Sequence, residues 1–146
     1  MGLRDVLRGK RVYFDANIFI YLVEGSLEFA QKLQDIRKSI QNGECEIVTS
    51  ELTLCEVLVV PFRNGDSALA GKFRDLIEAT GAFEVVPTSK QTYIRASLYR
   101  AQHGLKTPDA IHVATAVEAG CAAFLTNDKA LEAPRQIEML KLRNVS

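Results

Sequence analysis

The stretch Arg11–Val12–Tyr13–Phe14–Asp15–Ala16–Asn17–Ile18–Phe19–Ile20–Tyr21–Leu22 constrains the fold more than any other. Val12, Tyr13 and Phe14 are β-branched or aromatic, which predicts a short, largely buried strand. The strand stops at a carboxylate, Asp15. An apolar run over Ile18 to Val23 predicts a helix directly behind it. Asp15 is therefore expected at the C-terminal edge of a strand, where ligands bind in open α/β sheets. A bare carboxylate between two apolar runs is costly to bury without compensation. The plainer use for such a residue is to cap the following helix.

Strand and helix signals then alternate. Ser26 is placed to cap a helix over 27–41, with Phe29, Leu33, Ile36 and Ile40 at helical spacing and Asn42–Gly43 as its stop. Glu46–Thr49 reads as a second strand. The run Val57–Val60 fits strand or helix, and Pro61 disfavours helix at Val60. A helix is predicted from Asp66 or Ser67 to about 79, then a third strand over Phe83–Val86 stopped by Pro87. Ser89 caps a helix to about 102, ended by His103–Gly104. Thr107 as N-cap and Pro108 at the first position open a helix over 108–119 that is apolar on nearly every side and hence buried. Ala122–Leu125 is a fourth strand, followed by a short helix at about 128–132 and an edge strand over Ile137–Leu140. This alternation predicts one α/β domain over residues 1–146, with a mainly parallel sheet covered on both faces.

Charge narrows the function. Eighteen Lys and Arg balance 18 Asp and Glu, so the chain does not hold nucleic acid through a general positive field. A nucleic-acid substrate then needs a local basic rim or a metal ion. The basic lead-in Arg4, Arg8, Lys10, Arg11 is expected to be a solvated tail, while Arg63 and Lys106 are expected on loops within reach of RNA. Cys45, Cys55 and Cys121 form no C-x-x-C pair and read as reduced core residues of a cytosolic protein. The start MGLRDVLRGK holds no apolar core of signal-peptide length, and no apolar run approaches the roughly 20 residues of a membrane span.

Four acids stand out by position. Asp15 follows the first strand, Glu56 lies within about two turns after the second, Asp109 sits in the first turn of the alanine-rich helix, and Asp128 follows the fourth strand. In a parallel sheet, Asp15, Asp128 and the segment leading to Glu56 emerge at one edge, and Asp109 heads a helix that packs nearby. Acids meeting in an apolar setting repel, and either protonation or a divalent cation resolves the conflict. Oxygen ligands suit Mg²⁺ or Mn²⁺. Taken singly, Asp109 complements a helix dipole, Asp128 fits an N-cap and Glu56 a solvated helix face. His112 lies three residues after Asp109, so the two can share a helix face; it fits a metal ligand, and its plainer use is as a core or packing residue. His103 reads as a C-terminal helix cap.

These segments resemble, in order, the four motifs of the PIN domain. Phe14–Asp15–Ala16–Asn17–Ile18–Phe19–Ile20 is similar to the first, Ser50–Glu51–Leu52–Thr53–Leu54–Cys55–Glu56–Val57 to the second, Pro108–Asp109–Ala110–Ile111–His112–Val113–Ala114–Thr115–Ala116 to the third, and Thr126–Asn127–Asp128 to the fourth. The small size and the segment Glu56–Pro61 look most like VapC-type toxins of prokaryotic toxin–antitoxin pairs. The resemblance implies a three-layer α/β/α fold and Mg²⁺- or Mn²⁺-dependent endoribonuclease activity. It implies that Asp15, Glu56, Asp109 and Asp128 form an acidic metal-binding quartet, with Asn17 and Thr126 as polar supports. It also implies a protein antitoxin, frequent homodimers, and a helical reading of residues 50–64. His112 and Val113 stand where small residues are common in the family. Two other functions fit the residues: an inactive module that binds RNA or protein, and an aspartyl-phosphate phosphatase, which usually wants a second Asp where Asn17 stands.

Overall fold

The computed structural model describes residues 2–145. Its sheet has five strands: β1 (Arg11–Phe14), β2 (Glu46–Ser50), β3 (Glu84–Val86), β4 (Ala123–Thr126) and β5 (Glu138–Lys141). They lie in the order β3-β2-β1-β4-β5, and every pairing is parallel. The helices are α1 (Leu3–Leu7), α2 (Ala16–Glu24), α3 (Ala30–Gln41), α4 (Glu51–Val57), α5 (Val59–Arg63), α6 (Ser67–Arg74), α7 (Lys90–His103) and α8 (Thr107–Glu118), with a π-helical turn, Asp75–Ala79, extending α6. Side chains on a strand alternate between faces. Val12 and Phe14 enter one core with Leu3, Ile18, Leu33 and Phe73, whereas Tyr13 enters the other with Ala96, Ala110 and Val113. The result is the expected three-layer α/β/α fold with its sheet buried on both faces.

Strand order sets the position of the site. From β1 the chain builds outward through β2 to β3, then returns to place β4 on the other side of β1. The crevice between the C-terminal ends of β1 and β4 is where the order reverses, and such switch points bind ligands in α/β sheets. Asp15 ends β1 there, and Asp128 follows β4 there.

Several boundaries depart from expectation. The N-terminus is not a solvated tail. Leu3 and Leu7, four apart, are fully buried and dock α1 against the sheet and α3. Its basic residues are engaged in ion pairs: Arg4 with Glu44 at 2.6 Å, Lys10 with Glu138 at 3.6 Å, and Arg11 with Glu46 and Glu84. Helix α3 begins at Ala30 rather than 27; Ser26 still accepts from the Phe29 N–H, but Leu27 is wholly exposed. Residues 50–64 form two helices, because Pro61 has no N–H for the Val57 carbonyl and the ladder breaks at Leu58. No helix forms at 128–132. Lys141 Nζ donates to the carbonyls of Asp128, Lys129 and Leu131 in place of helical N–H groups. Lys106, not Thr107, is the N-cap of α8. Of the three thiols only Cys121 is buried; Cys55 is exposed. Among the described residues, no helix is long and apolar enough to cross a membrane.

Two measurements test the anchoring of α1. Leu7→Ala leaves a cavity at a fully buried position and lowers the unfolding free energy by about 2–5 kcal/mol in urea denaturation; a change under about 0.5 kcal/mol returns the segment to a tail. The Arg4 guanidinium, bonded through two nitrogens, holds the Glu44 carboxyl down at about 2, against an ordinary value of 4.5. The ion pair therefore adds stability above about pH 4.5, and this is lost as pH falls toward 2. Glu44→Gln should lower Tm at pH 7, with the deficit closing across that window.

Candidate functional site

Asp15 is 6% exposed at the tip of β1. Its Oδ1 accepts from the Ala16 N–H at 2.8 Å, the N-terminal turn of α2. Its Oδ2 accepts from Thr126 Oγ1 at 2.7 Å and from Asn17 Nδ2 at 3.4 Å. The Thr126 hydroxyl also accepts from the Asp128 N–H at 3.0 Å, so one hydroxyl fixes both acid-bearing segments. Asn17 bridges them a second time, accepting from the Asn127 N–H at 3.2 Å. Asn17 and Thr126 thus tie the Asp15 carboxylate to the segment that carries Asp128. Position 17 carries an amide committed to this bridge, not the acid that aspartyl-phosphate chemistry wants.

Glu56 arrives from the other side of β1. Thr49, at the end of β2, donates to the Phe14 carbonyl at 3.1 Å and bonds Thr53 at 2.6 Å. That pair fixes the first turn of α4 against β1, and Glu56 follows one turn later, half-buried, facing the same crevice. Asp109 comes from the first turn of α8 and is also half-buried. It shares a cleft of about 220 Å³ with Asp128, and His103 and the exposed Lys106 line the same cleft. The Asp109 carboxyl is pushed above its ordinary value, first by burial and then by the charges of Asp15 and Asp128. All four acids thus converge on one crevice. Among the described residues, no lysine or arginine pairs with Asp15 or Glu56, and His112 is the basic side chain at their oxygens.

His112 was read from the sequence as packing, and it is indeed 1% exposed. Its ring, however, is part of the site. Nε2 contacts Glu56 Oε1 and lies 3.9 Å from Asp15 Oδ1. Nδ1 lies 2.6 Å from the hydroxyl of Tyr13, which donates to Ser50 Oγ at 2.9 Å. Burial pushes the Tyr13 phenol up and keeps it protonated. A sequence signal for this chain exists: a tyrosine in a fully buried strand and a histidine on an apolar helix each need a polar partner. Nothing local shows that they find one another, 99 residues apart.

One ligand atom each from Asp15, Glu56 and His112 lie within 4.8 Å of one another, a spacing that suits a single cation. The unneutralised carboxylates around it, and the raised Asp109 carboxyl, suit a divalent one.

This is an α/β fold with an acid cluster at its switch point. The PIN domain family model matches residues 12–136, and the chain belongs to that family, whose members are generally nucleases. No curated protein matches the chain. Solved structures share its fold. One chain of a toxin–antitoxin complex from Klebsiella pneumoniae aligns at 24% identity and TM-score 0.63, over 86% of this chain and 94% of that one. DNA-bound VapBC from Salmonella typhimurium aligns at 17% identity and TM-score 0.64, over 91% and 98%. FitAcB from Neisseria gonorrhoeae aligns at 14% identity and TM-score 0.64, over 92% and 99%.

The raised Asp109 carboxyl gives a stability test. Because its native value lies above 3.8, the ionised form costs stability; the cost is absent below pH 3.8 and grows as pH rises through the native value. In chelator, Asp109→Asn should raise Tm at pH 7, with the gain shrinking as pH is lowered past 3.8. A gain independent of pH would contradict the electrostatic origin.

Proposed function

We propose that this chain is a metal-dependent endoribonuclease of the VapC type, the toxin of a toxin–antitoxin pair, working in the cytoplasm as one PIN domain. The observation that carries the reading is the convergence of Asp15, Glu56, Asp109 and Asp128 at the sheet's reversal point in a member of the PIN family. Mg²⁺ or Mn²⁺ held there would supply a water of lowered pKa and neutralise charge on the phosphate and the leaving oxygen.

The chain's own residues have distinct tasks in this scheme. Asp15 is the central ligand, because it is the most buried of the four and the most tightly oriented. Asp109 and Asp128 complete the ligand set from the cleft's far wall. Glu56 orients the attacking water or holds a second ion. Asn17 and Thr126 hold Asp15 and the Asp128 backbone in register. Lys106, exposed on the same cleft, is placed to meet an RNA phosphate.

The antitoxin partner is supported by two things. The solved structures sharing this fold include toxin–antitoxin complexes. The helix α5 also leaves Val59, Val60 and Phe62 exposed, at 45%, 51% and 66%. Leu54, Val57 and Leu58 pack into the core, whereas Val59, Val60 and Phe62 have no cover among the described residues. A homodimer belongs to the same proposal.

The test is RNA cleavage in Mg²⁺ or Mn²⁺ by the wild type, Asp15→Asn and Asp109→Asn. Each substitution is expected to lower the rate at least about 100-fold, with the fold intact by circular dichroism. Cleavage that survives both substitutions would falsify the reading.

A further inference from the structure

We infer that His112 is a nitrogen ligand of the cation held by Asp15 and Glu56, and that this donor set favours Mn²⁺ over Mg²⁺. The inference rests on the metal-site reading above and changes its chemistry, because the acids alone offer only oxygen.

Hydrogen-bond direction is the first argument. The Tyr13 hydroxyl donates its proton to Ser50 Oγ at 2.9 Å. Its oxygen is then the acceptor for His112 Nδ1 at 2.6 Å, so Nδ1 carries the ring proton. The ring then presents Nε2 to the acids. That atom touches Glu56 Oε1 and stands 3.9 Å from Asp15 Oδ1. One donor atom each from Asp15, Glu56 and His112 thus face one space, and their spacing of at most 4.8 Å accommodates a cation.

Support behind the ring is the second argument. Metal-binding histidines are generally held through their outer nitrogen by a further polar group, which sets tautomer and orientation. Here Tyr13 and Ser50 form that support, and all three side chains are buried: Tyr13 and Ser50 are 0% exposed and His112 is 1% exposed. The sheet imposes the arrangement. Tyr13 points to the α8 layer, while its neighbours Val12 and Phe14 point away. Imidazole raises affinity for Mn²⁺ and later first-row ions relative to Mg²⁺, which prefers oxygen and water.

The chain has two histidines. The experiment is therefore pulsed electron paramagnetic resonance on Mn²⁺ bound to tag-free His103→Gln protein, in which His112 is the remaining imidazole, with Mn²⁺ and Mg²⁺ affinities measured by calorimetry. The expected result is a directly coordinated ¹⁴N signal that becomes ¹⁵N on histidine labelling. Mn²⁺ should bind at least about tenfold more tightly than Mg²⁺. Tyr13→Phe, which keeps the ring and removes its anchor, should retain the nitrogen signal and lose about 10–100-fold in Mn²⁺ affinity. Mn²⁺ that binds, depends on Asp15 and shows no nitrogen coupling overturns this inference and leaves the acidic metal site standing; His112 then only positions Glu56. No Mn²⁺ binding by the wild type overturns both.

Discussion

The fold depends on keeping one carboxylate, Asp15, buried where the sheet reverses its strand order. Three neutral donors satisfy its oxygens: a backbone N–H, a threonine hydroxyl and a side-chain amide. They supply hydrogen bonds without cancelling charge. Removing charge from water is expensive, and neutral donors compensate only part of that cost. Lys141, at the end of β5, spends its three donors on the carbonyls of Asp128, Lys129 and Leu131. Burial holds the Lys141 amine below its ordinary value, and its role is to fold the loop after β4 rather than to neutralise the acids. The site is thus left negative, and the fold around it tolerates the cost.

That tolerance comes from building the crevice out of both layers. Strand β1 alternates, so it is fixed in the sheet by Val12 and Phe14 on one side and Tyr13 on the other. The α4 side brings Glu56, and the α8 side brings Asp109 and His112. The two walls meet over the end of β1, where His112 of α8 touches Glu56 of α4. Tyr13 stacks on Phe124 of β4 at 5.0 Å between centroids and also reaches His112, which ties the central strands to the wall they support. Rigid elements on both sides can hold like charges close together, where loops would relax apart.

The sequence carried the layer architecture well, because each strand segment holds a short apolar run and several stops are sharp: Asp15, Pro87 and Asn127–Asp128 mark real ends. It also carried the placement of the four acids, since parallel strands send all their C-terminal ends to one edge. What it hid was tertiary. Leu3 and Leu7 make only one helical turn, too short for a periodic signal, and the charges between them dominate the pattern. Residues 128–132 have the composition of a helix start, but Lys141, 13 residues beyond Asp128, takes the carbonyls that a helix would need. Cys55 lies in an apolar run yet faces solvent, because it sits on the side of α4 away from the buried Thr53 and Val57. The Tyr13–His112–Glu56 chain links three segments whose local patterns are each explained without it.

A site with this electrostatic tension couples binding to stability. Asp109 is held above its ordinary value by burial and by the neighbouring acids, so its ionised form opposes the native state. Any cation that enters the crevice relieves that opposition along with the repulsion among Asp15, Glu56 and Asp128. Binding to the native state alone adds stability by mass action, about 2.7 kcal/mol at a ligand concentration of 100 Kd. On the metal-dependent reading proposed above, binding of the ion would rigidify the protein as well as supply its chemistry. The same acids that weaken the fold would therefore make it responsive, and on that reading a substitution that neutralises one of them would exchange function for stability.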